Sequence, residues 1–534
     1  MHSRSVTAWR RAACGRRRAT QHVSLRHWST TSLRRVKARR LNGIVTNPIY
    51  QQLYRNLPAG FYAEPTPTPF PAPTLIELNV ALLAHYGLEP SWFQSAEAAA
   101  LLTGQTHSPD NPPLALAYAG HQFGNFVPLL GDGRALLLGQ MAAHDGRAID
   151  VQLKGSGRTA YSRGGDGRAT LGSVLREYLV SEAMAGLGIA TTRSLAVLTT
   201  GETVRREQRQ PGAVLVRTAT SHMRVGSFQY AATHLGPEAV QALADHVIAR
   251  NFADLSSAEE RYAKLLDAVN TRQAELIARW MLVGFIHGVM NTDNMSIVGE
   301  TIDFGPCAFV DEFNPGKVFS SIDRRGRYAW NQQPAIAHWN LTRFAETLLP
   351  LLDSEQDRAI ELAKQQLTRF APQFSTAFYA GLAAKLGLAA RSEAGDTFAD
   401  TTLQLLAAHD IDYTVFFDAL TIAANLKEDV ALLELCAVSE DGQREASEWL
   451  QQWRTLRAMS PLDTASMRRA NPRLIARNHL VEKAIAAAER NADYTPFRRL
   501  ARALASPFDV ATTDDELLSP PRIEERVTAT FCGT

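Results

Sequence analysis

The stretch HGVMNTDNMSIVGETIDFG, residues 287–305, decides the fold prediction for this chain. It follows an apolar helical segment and combines a histidine, the pair Asp293 and Asn294, a short β-turn-β pattern and an Asp-Phe-Gly sequence that opens at Asp303. Asn294 and Asp303 offer the hard oxygen ligands that Mg²⁺ prefers, and Mg²⁺ bridges the phosphate oxygens of nucleotides. The stretch therefore predicts a metal-dependent nucleotide site.

The spacing within this stretch is that of a protein-kinase catalytic loop. His287 and Asn294 stand as far apart as the first and last residues of the H-R-D-x-x-x-x-N pattern. Val289, however, occupies the place of the aspartate that serves as base in ordinary protein kinases. Two interpretations stay open: Asp293 acts as the base in a rearranged site, or the protein only binds nucleotide.

A glycine-rich strand start is the first upstream candidate for phosphate binding. The segment GDGRALLLGQ contains Gly131, Gly133 and Arg134, where bare backbone amides and a guanidinium can approach a phosphate closely. A tight hairpin turn explains the same two glycines, so this signal alone is weak.

The second upstream candidate is a lysine and glutamate pair. Lys154 ends the next predicted strand, and Glu177 lies on the following predicted helix. Protein kinases hold ATP phosphates with a strand lysine that is paired to a helix glutamate. A surface lysine and a solvated glutamate are the alternative, and the 287–305 stretch shifts the balance toward the nucleotide site.

The patterning around these residues predicts an α+β, protein-kinase-like fold with two lobes, a small β-rich nucleotide-binding lobe and a larger, mostly helical lobe. A hairpin is expected over 134–154, a glycine-rich loop over 155–172 and a helix over 173–185, with strands near 193–199 and 213–218. Helical patterning dominates beyond Pro237. The predicted division is a basic extension (1–42), an extended and helical segment (43–115), a kinase-like N-lobe (116–236), a helical C-lobe (237–515) and a C-terminal tail (516–534).

Composition and charge exclude several classes of protein. The 534 residues are 45% apolar and 21% charged, and the apolar runs end well before the roughly 20 residues that a membrane span needs. Residues 1–63 hold 13 Lys and Arg and no acid, so the remainder carries 43 basic and 54 acidic residues. An acidic body argues against nucleic-acid binding, which relies on clustered Lys and Arg. No membrane and no nucleic-acid partner is expected.

Nine short motifs together resemble the selenoprotein O family, also called SelO or YdiU-type. The resemblance covers residues from about 43 to the end. The matching stretches are YAGHQFG (118–124), LGDGRA (130–135), LKGSG (153–157), YSRGGDGRA (161–169), LREYLVSEAM (175–184), TATSHMRVGSF (218–228), HGVMNTDNMSI (287–297), TIDFGP (301–306) and MRRANPRLIARN (467–478).

This resemblance implies a protein adenylyltransferase with a kinase-like fold. Such enzymes bind ATP in a flipped orientation, so that a Ser, Thr or Tyr hydroxyl of a protein substrate attacks the α-phosphorus and pyrophosphate leaves. Asp293 is then expected to accept the proton, Asn294 and Asp303 to bind Mg²⁺ or Mn²⁺, and Glu177 to orient Lys154. The residues expected to line the nucleotide are Gly131, Gly133, Arg134, Lys154, Asp166, Gly167, Arg217, Arg224 and Asp303.

The four cysteines, at positions 14, 307, 436 and 532, have no short paired spacing, which argues against a zinc site or a disulfide scaffold and fits a reducing compartment. Many eukaryotic relatives carry selenocysteine near the C-terminus, where this chain has Cys532. We hypothesise a redox-controlled disulfide between Cys532 and Cys307. The alternative is that Cys307 is a buried apolar side chain.

The N-terminal segment bears on where the protein is located. The first 42 residues are rich in Arg, Ser and Thr and are typical of a mitochondrial transit peptide, but they equally fit an upstream extension of a GC-rich bacterial reading frame. The compact length, without the long insertions common in eukaryotic members of the family, favours a bacterial and cytoplasmic protein, and a monomer is expected. The competing function is a catalytically silent, nucleotide-binding pseudokinase that acts as a scaffold.

Overall fold

The computed structural model describes residues 40–41, 44–45, 49, 51–66, 68–107, 111–426, 429–436, 440–509, 511 and 514–531. Nearly all of the predicted basic extension (1–42) and Cys532 lie outside these residues. The described part of the chain is a mixed α and β structure, in agreement with the predicted mixture of elements.

The strands are mostly short, and the long ones lie between residues 135 and 219. They are β1 (Arg40–Leu41), β2 (Ile44–Val45), β3 (Tyr62–Ala63), β4 (Thr74–Leu78), β5 (Ala115–Leu116), β6 (Gly120–Gln122), β7 (Asn125–Val127), β8 (Ala135–Ala142), β9 (Ala148–Lys154), β10 (Ala169–Thr170), β11 (Arg193–Arg205), β12 (Arg209–Ala219), β13 (Phe285–Ile286) and β14 (Ala308–Phe309).

The helices are concentrated in the second half of the chain. They are α1 (Val80–Tyr86), α2 (Pro90–Phe93), α3 (Ala96–Leu102), α4 (Leu171–Gly186), α5 (Val225–Tyr230), α6 (Pro237–Asn251), α7 (Arg261–Leu282), α8 (Gln333–Leu352), α9 (Gln356–Leu367), α10 (Phe370–Lys385), α11 (Glu393–Ala408), α12 (Tyr413–Leu426), α13 (Val430–Cys436), α14 (Glu440–Met459), α15 (Thr464–Ala470), α16 (Asn478–Asn491), α17 (Thr495–Leu504) and α18 (Asp515–Leu518).

The main sheet is antiparallel, with strand order β4-β11-β12-β9-β8, and β10 also pairs with β12. The predicted hairpin over 134–154 is confirmed as β8 and β9, which are joined at Gly146, where φ is +85°. The predicted strands near 193–199 and 213–218 are confirmed too, as the start of β11 and the end of β12.

Both faces of this sheet are covered, and the alternation of side chains explains how. Leu215 of β12 belongs to a core shared with α4 and the later helices, whereas its neighbours Val214 and Val216 point to a second core formed with α1, α2 and α3. The strands therefore read as nearly continuous apolar runs. α4 begins where the Thr170 side chain accepts from the Ser173 amide, and its buried residues include Glu177.

Long amphipathic helices form the part of the chain beyond Pro237, and their apolar faces share one large core with α4. This agrees with the predicted helical patterning. Among the described residues, no helix is both long enough and apolar enough to cross a bilayer.

The β-turn-β pattern predicted just before the DFG sequence is wrong. The two halves of the predicted pattern do not pair with each other. Ser296 forms an isolated β-bridge with Arg224, and Thr301 forms one with Thr191. Gly299, at φ +76°, turns the chain between them. The apolar residues that suggested strands are buried against other segments, so local alternation was a poor guide to pairing there.

Candidate active site

An ion-pair cluster around the Asp303 carboxylate forms the centre of the site. Lys154 Nζ lies 2.5 Å from Glu177 Oε2 and 2.7 Å from Asp303 Oδ1. β9 supplies the lysine at its last residue, and α4 packs its buried face, including Glu177, against the sheet. The structure thus brings together the lysine and the glutamate that the sequence analysis paired.

Arg217 joins both carboxylates of this cluster. Its Nη1 lies 2.7 Å from Asp303 Oδ1 and 3.0 Å from Glu177 Oε1, and the side chain is only 2% exposed. Its Nε donates to Gln152 Oε1 at 2.8 Å, because the register of β12 and β9 places Arg217 opposite Gln152. This arginine is therefore part of the site and not a solvated strand end.

Arg224 links Asp303, the aspartate of the DFG sequence, to Asp293. It precedes α5, and its Nη1 donates to Asp303 Oδ2 at 2.6 Å and to the Asp293 carbonyl oxygen at 2.7 Å. The guanidinium carbon lies 4.7 Å from the centre of the Tyr118 ring, at a cation–π distance. Burial lowers the pKa of Arg224, but the attraction of Asp303 outweighs it and the pKa lies above its ordinary value.

The Asp303 backbone and carboxyl group are both held in unusual states. Its φ is +63°, a left-handed conformation that costs a non-glycine residue free energy and tends to occur at functional sites. Burial raises the pKa of Asp303, but the attraction of Lys154, Arg217 and Arg224 outweighs this, so the pKa lies well below its usual range. The carboxylate is therefore ionised, and the three cations occupy both of its oxygens.

Asp293 and Asn294 lie on a 3₁₀ turn, Thr292–Asn294. Asp293 Oδ1 is buried and has no hydrogen-bond partner among the described residues, while Oδ2 accepts one long bond, 3.4 Å, from Gln122 Nε2. Burial raises the pKa of Asp293 to about 6. Asn294 donates from its amide nitrogen to the Val289 carbonyl oxygen at 3.0 Å, which leaves its amide oxygen for another partner.

His287 supports the loop from within the core. It is fully buried, its Nε2 lies 2.9 Å from the Ile302 carbonyl oxygen, and its ring stacks on Trp280 at 5.4 Å. These contacts hold the start of the 287–305 stretch against Ile302, the residue before Asp303. Val289, in the place of the usual base, is buried as well.

The glycines of the GDGRA motif and of the glycine-rich loop permit close packing of the chain. A Cβ on Gly131 would overlap the Tyr161 ring, and one on Gly133 would lie 2.8 Å from the Tyr161 carbonyl oxygen. Gly167, at φ +67°, packs on the Gly157 carbonyl. The glycine-rich loop therefore folds over the 131–133 turn.

A cavity of about 800 Å³ adjoins the ion-pair cluster. Its walls include Arg134, Lys154 and Glu177 from the predicted site, together with Phe304. Asp166 lies apart from the Asp303 cluster and pairs with Arg206 at 2.8 Å, and Arg206 also lines this cavity.

The C-terminal tail forms another wall of the same cavity. Thr530 Oγ1 donates to the Pro306 carbonyl oxygen at 2.6 Å, and the Thr530 amide donates to the Phe319 carbonyl oxygen at 2.7 Å. Cys307 is next to Pro306 and completely buried, and its Sγ donates to the Phe304 carbonyl oxygen at 3.4 Å.

Three polar side chains in the site were missed by the sequence analysis. Gln152 stands two residues before Lys154 on one strand, so the period of two could have placed both on one face. Asp132 accepts from Gln152 Nε2 at 2.9 Å, and burial raises its pKa to about 6. Gln122 lies within the quoted YAGHQFG motif, but nothing local indicated its contact with Asp293.

A strand lysine paired with a helix glutamate, beside the aspartate of a DFG sequence, is the arrangement of kinase-like enzymes that hold nucleotide phosphates. The family model described as "Protein adenylyltransferase SelO" matches residues 45–505. The chain belongs to this family, which confirms the predicted family and its enzyme class, a protein nucleotidyltransferase.

Bacterial relatives agree with this assignment over almost their whole length. The chain is 52% identical to "Protein nucleotidyltransferase YdiU" of Shewanella denitrificans, over 92% of this chain and 98% of the relative. It is also 52% identical to the protein of the same name from a Bradyrhizobium species, and 51% identical to that from Rhodopseudomonas palustris, each over 91% of this chain and 99% of the relative.

Proposed function

We propose that this protein transfers AMP from ATP to Ser, Thr or Tyr hydroxyl groups of other proteins and releases pyrophosphate. The single observation that supports this most is the cluster in which Lys154, Arg217 and Arg224 surround the ionised Asp303. ATP carries about four negative charges, and cations fixed in a partly buried site stabilise the charge that develops as pyrophosphate departs.

We propose the cavity beside this cluster as the nucleotide site. Arg134 and Arg206 line it in addition to Lys154, and Asp166 would act there through its ion pair with Arg206. Gly131, Gly133 and Gly167 would let the glycine-rich loop close over the phosphates, since none of the three tolerates a Cβ without displacement of a neighbour.

We propose Asn294 and Asp303 as ligands of Mg²⁺ or Mn²⁺. The described residues contain no cluster of three or more His, Cys, Asp or Glu suited to a metal, so phosphate oxygens and water would complete the coordination, as Mg²⁺ prefers. The donors fit, because Asp303 is ionised and the Asn294 amide group presents its nitrogen to Val289. Both Asp303 oxygens accept from cations here, so a metal would replace one of those contacts. The bound ion would neutralise charge on the phosphates.

We propose Asp293 as the proton acceptor. Its Oδ1 has no hydrogen-bond partner among the described residues, so it keeps an unused acceptor, but Gly120 covers it and must move before a substrate hydroxyl can reach it. The hydroxyl oxygen would bond to the α-phosphorus as the bond to the bridging α,β-oxygen breaks. The hydroxyl proton would pass to Asp293, and the bond electrons would leave with pyrophosphate. Val289 cannot accept a proton, which disfavours ordinary γ-phosphoryl transfer.

We also propose a division into lobes, an oligomeric state and a cellular location for this protein. We infer two kinase-like lobes, 116–236 and 237–515, because the sheet with α4 precedes Pro237 and the long helices follow it. We infer a monomer in the cytoplasm, and the bacterial relatives and the spacing of the cysteines support the cytoplasmic setting. A silent pseudokinase is the second candidate, but the retention of Lys154, Asn294 and Asp303 favours catalysis.

The decisive experiment is incubation of the purified protein with ATP that is labelled at either the α- or the γ-phosphate, in the presence of Mg²⁺ or Mn²⁺. Label from the α-phosphate should become attached to protein, and label from the γ-phosphate should not. Transfer of γ-label alone would refute the proposal. Nucleotide binding without transfer of either label would favour the pseudokinase.

A further inference from the structure

The β6–β7 hairpin lies directly on the catalytic loop. The His121 amide donates to Thr292 Oγ1 at 2.7 Å, and the Phe123 amide donates to Asn291 Oδ1 at 3.0 Å. Gly120 leaves no room for a side chain, because a Cβ there would overlap the Asp293 carboxylate. The hairpin therefore borders the approach to Asp293.

The loop after the DFG sequence is anchored to the same place. The Asp323 carboxylate accepts from the Arg327 amide at 2.9 Å and from the Tyr328 amide at 2.8 Å, which closes a turn over residues 323–328. The Tyr328 hydroxyl donates to Asn291 Oδ1 at 2.6 Å, and its ring lies 5.1 Å from that of Phe123. Arg324 and Arg325 thus sit in a turn whose end is bonded to the catalytic loop.

These arginines carry charge that the protein itself does not neutralise. Arg324 and Arg325 are exposed, and within the part of the chain that the structure describes neither forms an ion pair with a carboxylate. Arg327 forms none there either, and its guanidinium lies 4.9 Å from the centre of the Trp339 ring. By contrast, nearby Arg343 pairs with Glu346 at 2.6 Å.

Apolar groups flank the same region. Phe126, on the hairpin, is 41% exposed, and Ile322, next to the arginine turn, is 59% exposed. The His121 ring connects the two sides, since it lies 4.9 Å from Phe126 and 5.1 Å from Trp339. Exposed apolar side chains beside unneutralised charges are typical of a surface that binds another protein.

We propose that this docking surface, formed by Phe126, Ile322, Arg324, Arg325, Arg327 and Trp339, binds the acceptor segment of the protein substrate and selects segments with acidic side chains near the hydroxyl. The inference rests on the proposed function, because it places the substrate beside Asp293. Charge complementarity at such a surface chiefly sets partner choice and association rate. The surface therefore determines specificity, while the Asp303 cluster determines the chemistry.

The test uses the full-length protein and two sets of synthetic peptides with a central Ser, Thr or Tyr. The sets are identical except that the flanking positions carry Glu in one and Lys in the other. For the wild type, kcat/KM should be about fivefold higher with the Glu set, since two or three exposed ion pairs of modest strength are gained. The preference should shrink as salt is added.

Variants separate docking from catalysis. The double substitution Arg324→Glu with Arg325→Glu should reverse the preference, and Arg324→Gln with Arg325→Gln should reduce it. Arg358→Glu is the matched control, because Arg358 is 75% exposed on α9 and should leave the preference unaltered.

The outcomes distinguish this inference from the proposed function. Any of three results would overturn the docking surface. The wild type could label both peptide sets equally, it could label neither set, or the charge-reversed variant could keep the wild-type preference. All peptides are assayed with both α- and γ-labelled ATP. A Glu preference seen with γ-label would support the docking surface while it refuted AMP transfer.

Discussion

Replacement of the Asp303 carboxylate by a neutral amide, Asp303→Asn, should lower both the stability of the ligand-free protein and its ability to bind nucleotide with metal. The carboxylate accepts from Lys154 and Arg217 at 2.7 Å and from Arg224 at 2.6 Å. Removal of one partner from a buried ion pair costs about 3–5 kcal/mol. Lys154 and Arg217 keep Glu177, so we expect the lower end, about 3 kcal/mol.

The matched control is Asp293→Asn, the same chemical change ten positions earlier on the chain. Among the described residues the Asp293 carboxylate accepts only the 3.4 Å bond from Gln122, and its Oδ1 has no partner. The free energy of unfolding should therefore not fall, because the neutral amide avoids the burial cost that raises the pKa of the Asp293 carboxyl to about 6. Nucleotide binding should survive, while transfer should fall by about 10²–10⁴-fold, as expected for loss of a general base.

Two assays measure these differences. Urea unfolding without ligand gives the change in the free energy of unfolding, and thermal denaturation with ATP and Mg²⁺ or Mn²⁺ gives the shift caused by binding. Asp303→Asn should lose stability and the ligand-induced shift, and Asp293→Asn should keep both. Equal losses in the two variants would refute the division of roles between the two aspartates.

Three further predictions concern other parts of the molecule. Gly131→Ala should weaken ATP binding, because the new Cβ overlaps the Tyr161 ring at a residue with φ +74°; calorimetric titration that shows unchanged affinity would contradict this. Burial lowers the pKa of His246 to about 4, below its ordinary value near 6.5, so only the unfolded chain takes up this proton between those pH values. The free energy of unfolding should accordingly fall by about 1.4 kcal/mol per pH unit as the pH drops through that window. When urea unfolding is repeated across these pH values with His246→Phe, the slope of the unfolding free energy against pH should be smaller by the contribution of one proton. Cys307 and Cys532 should form a disulfide under oxidising conditions that lowers activity; peptide mapping without such a cross-link, together with activity indifferent to reductant, would dismiss it.

The sequence alone determined the elements whose signals are local. The hairpin of β8 and β9, the helix α4 and the 287–305 stretch follow from alternation, helical periodicity and residue spacing, all of which act over a few neighbouring positions. Lys154 and Glu177 could be paired in advance because kinase-like sites repeat that arrangement. The same local signals misled just before the DFG sequence, where apolar alternation reflected burial and not mutual pairing.

Only the tertiary structure decided how distant side chains meet. Arg217 reaches Asp303 because the register of β12 against β9 sets it opposite Gln152, and register depends on the pairing of whole strands. The contact of Gln122 with Asp293 spans 171 positions, and the ion pair of Arg206 with Asp166 spans 40. Such contacts arise from the packing of separate elements, so no pattern within either segment contains them.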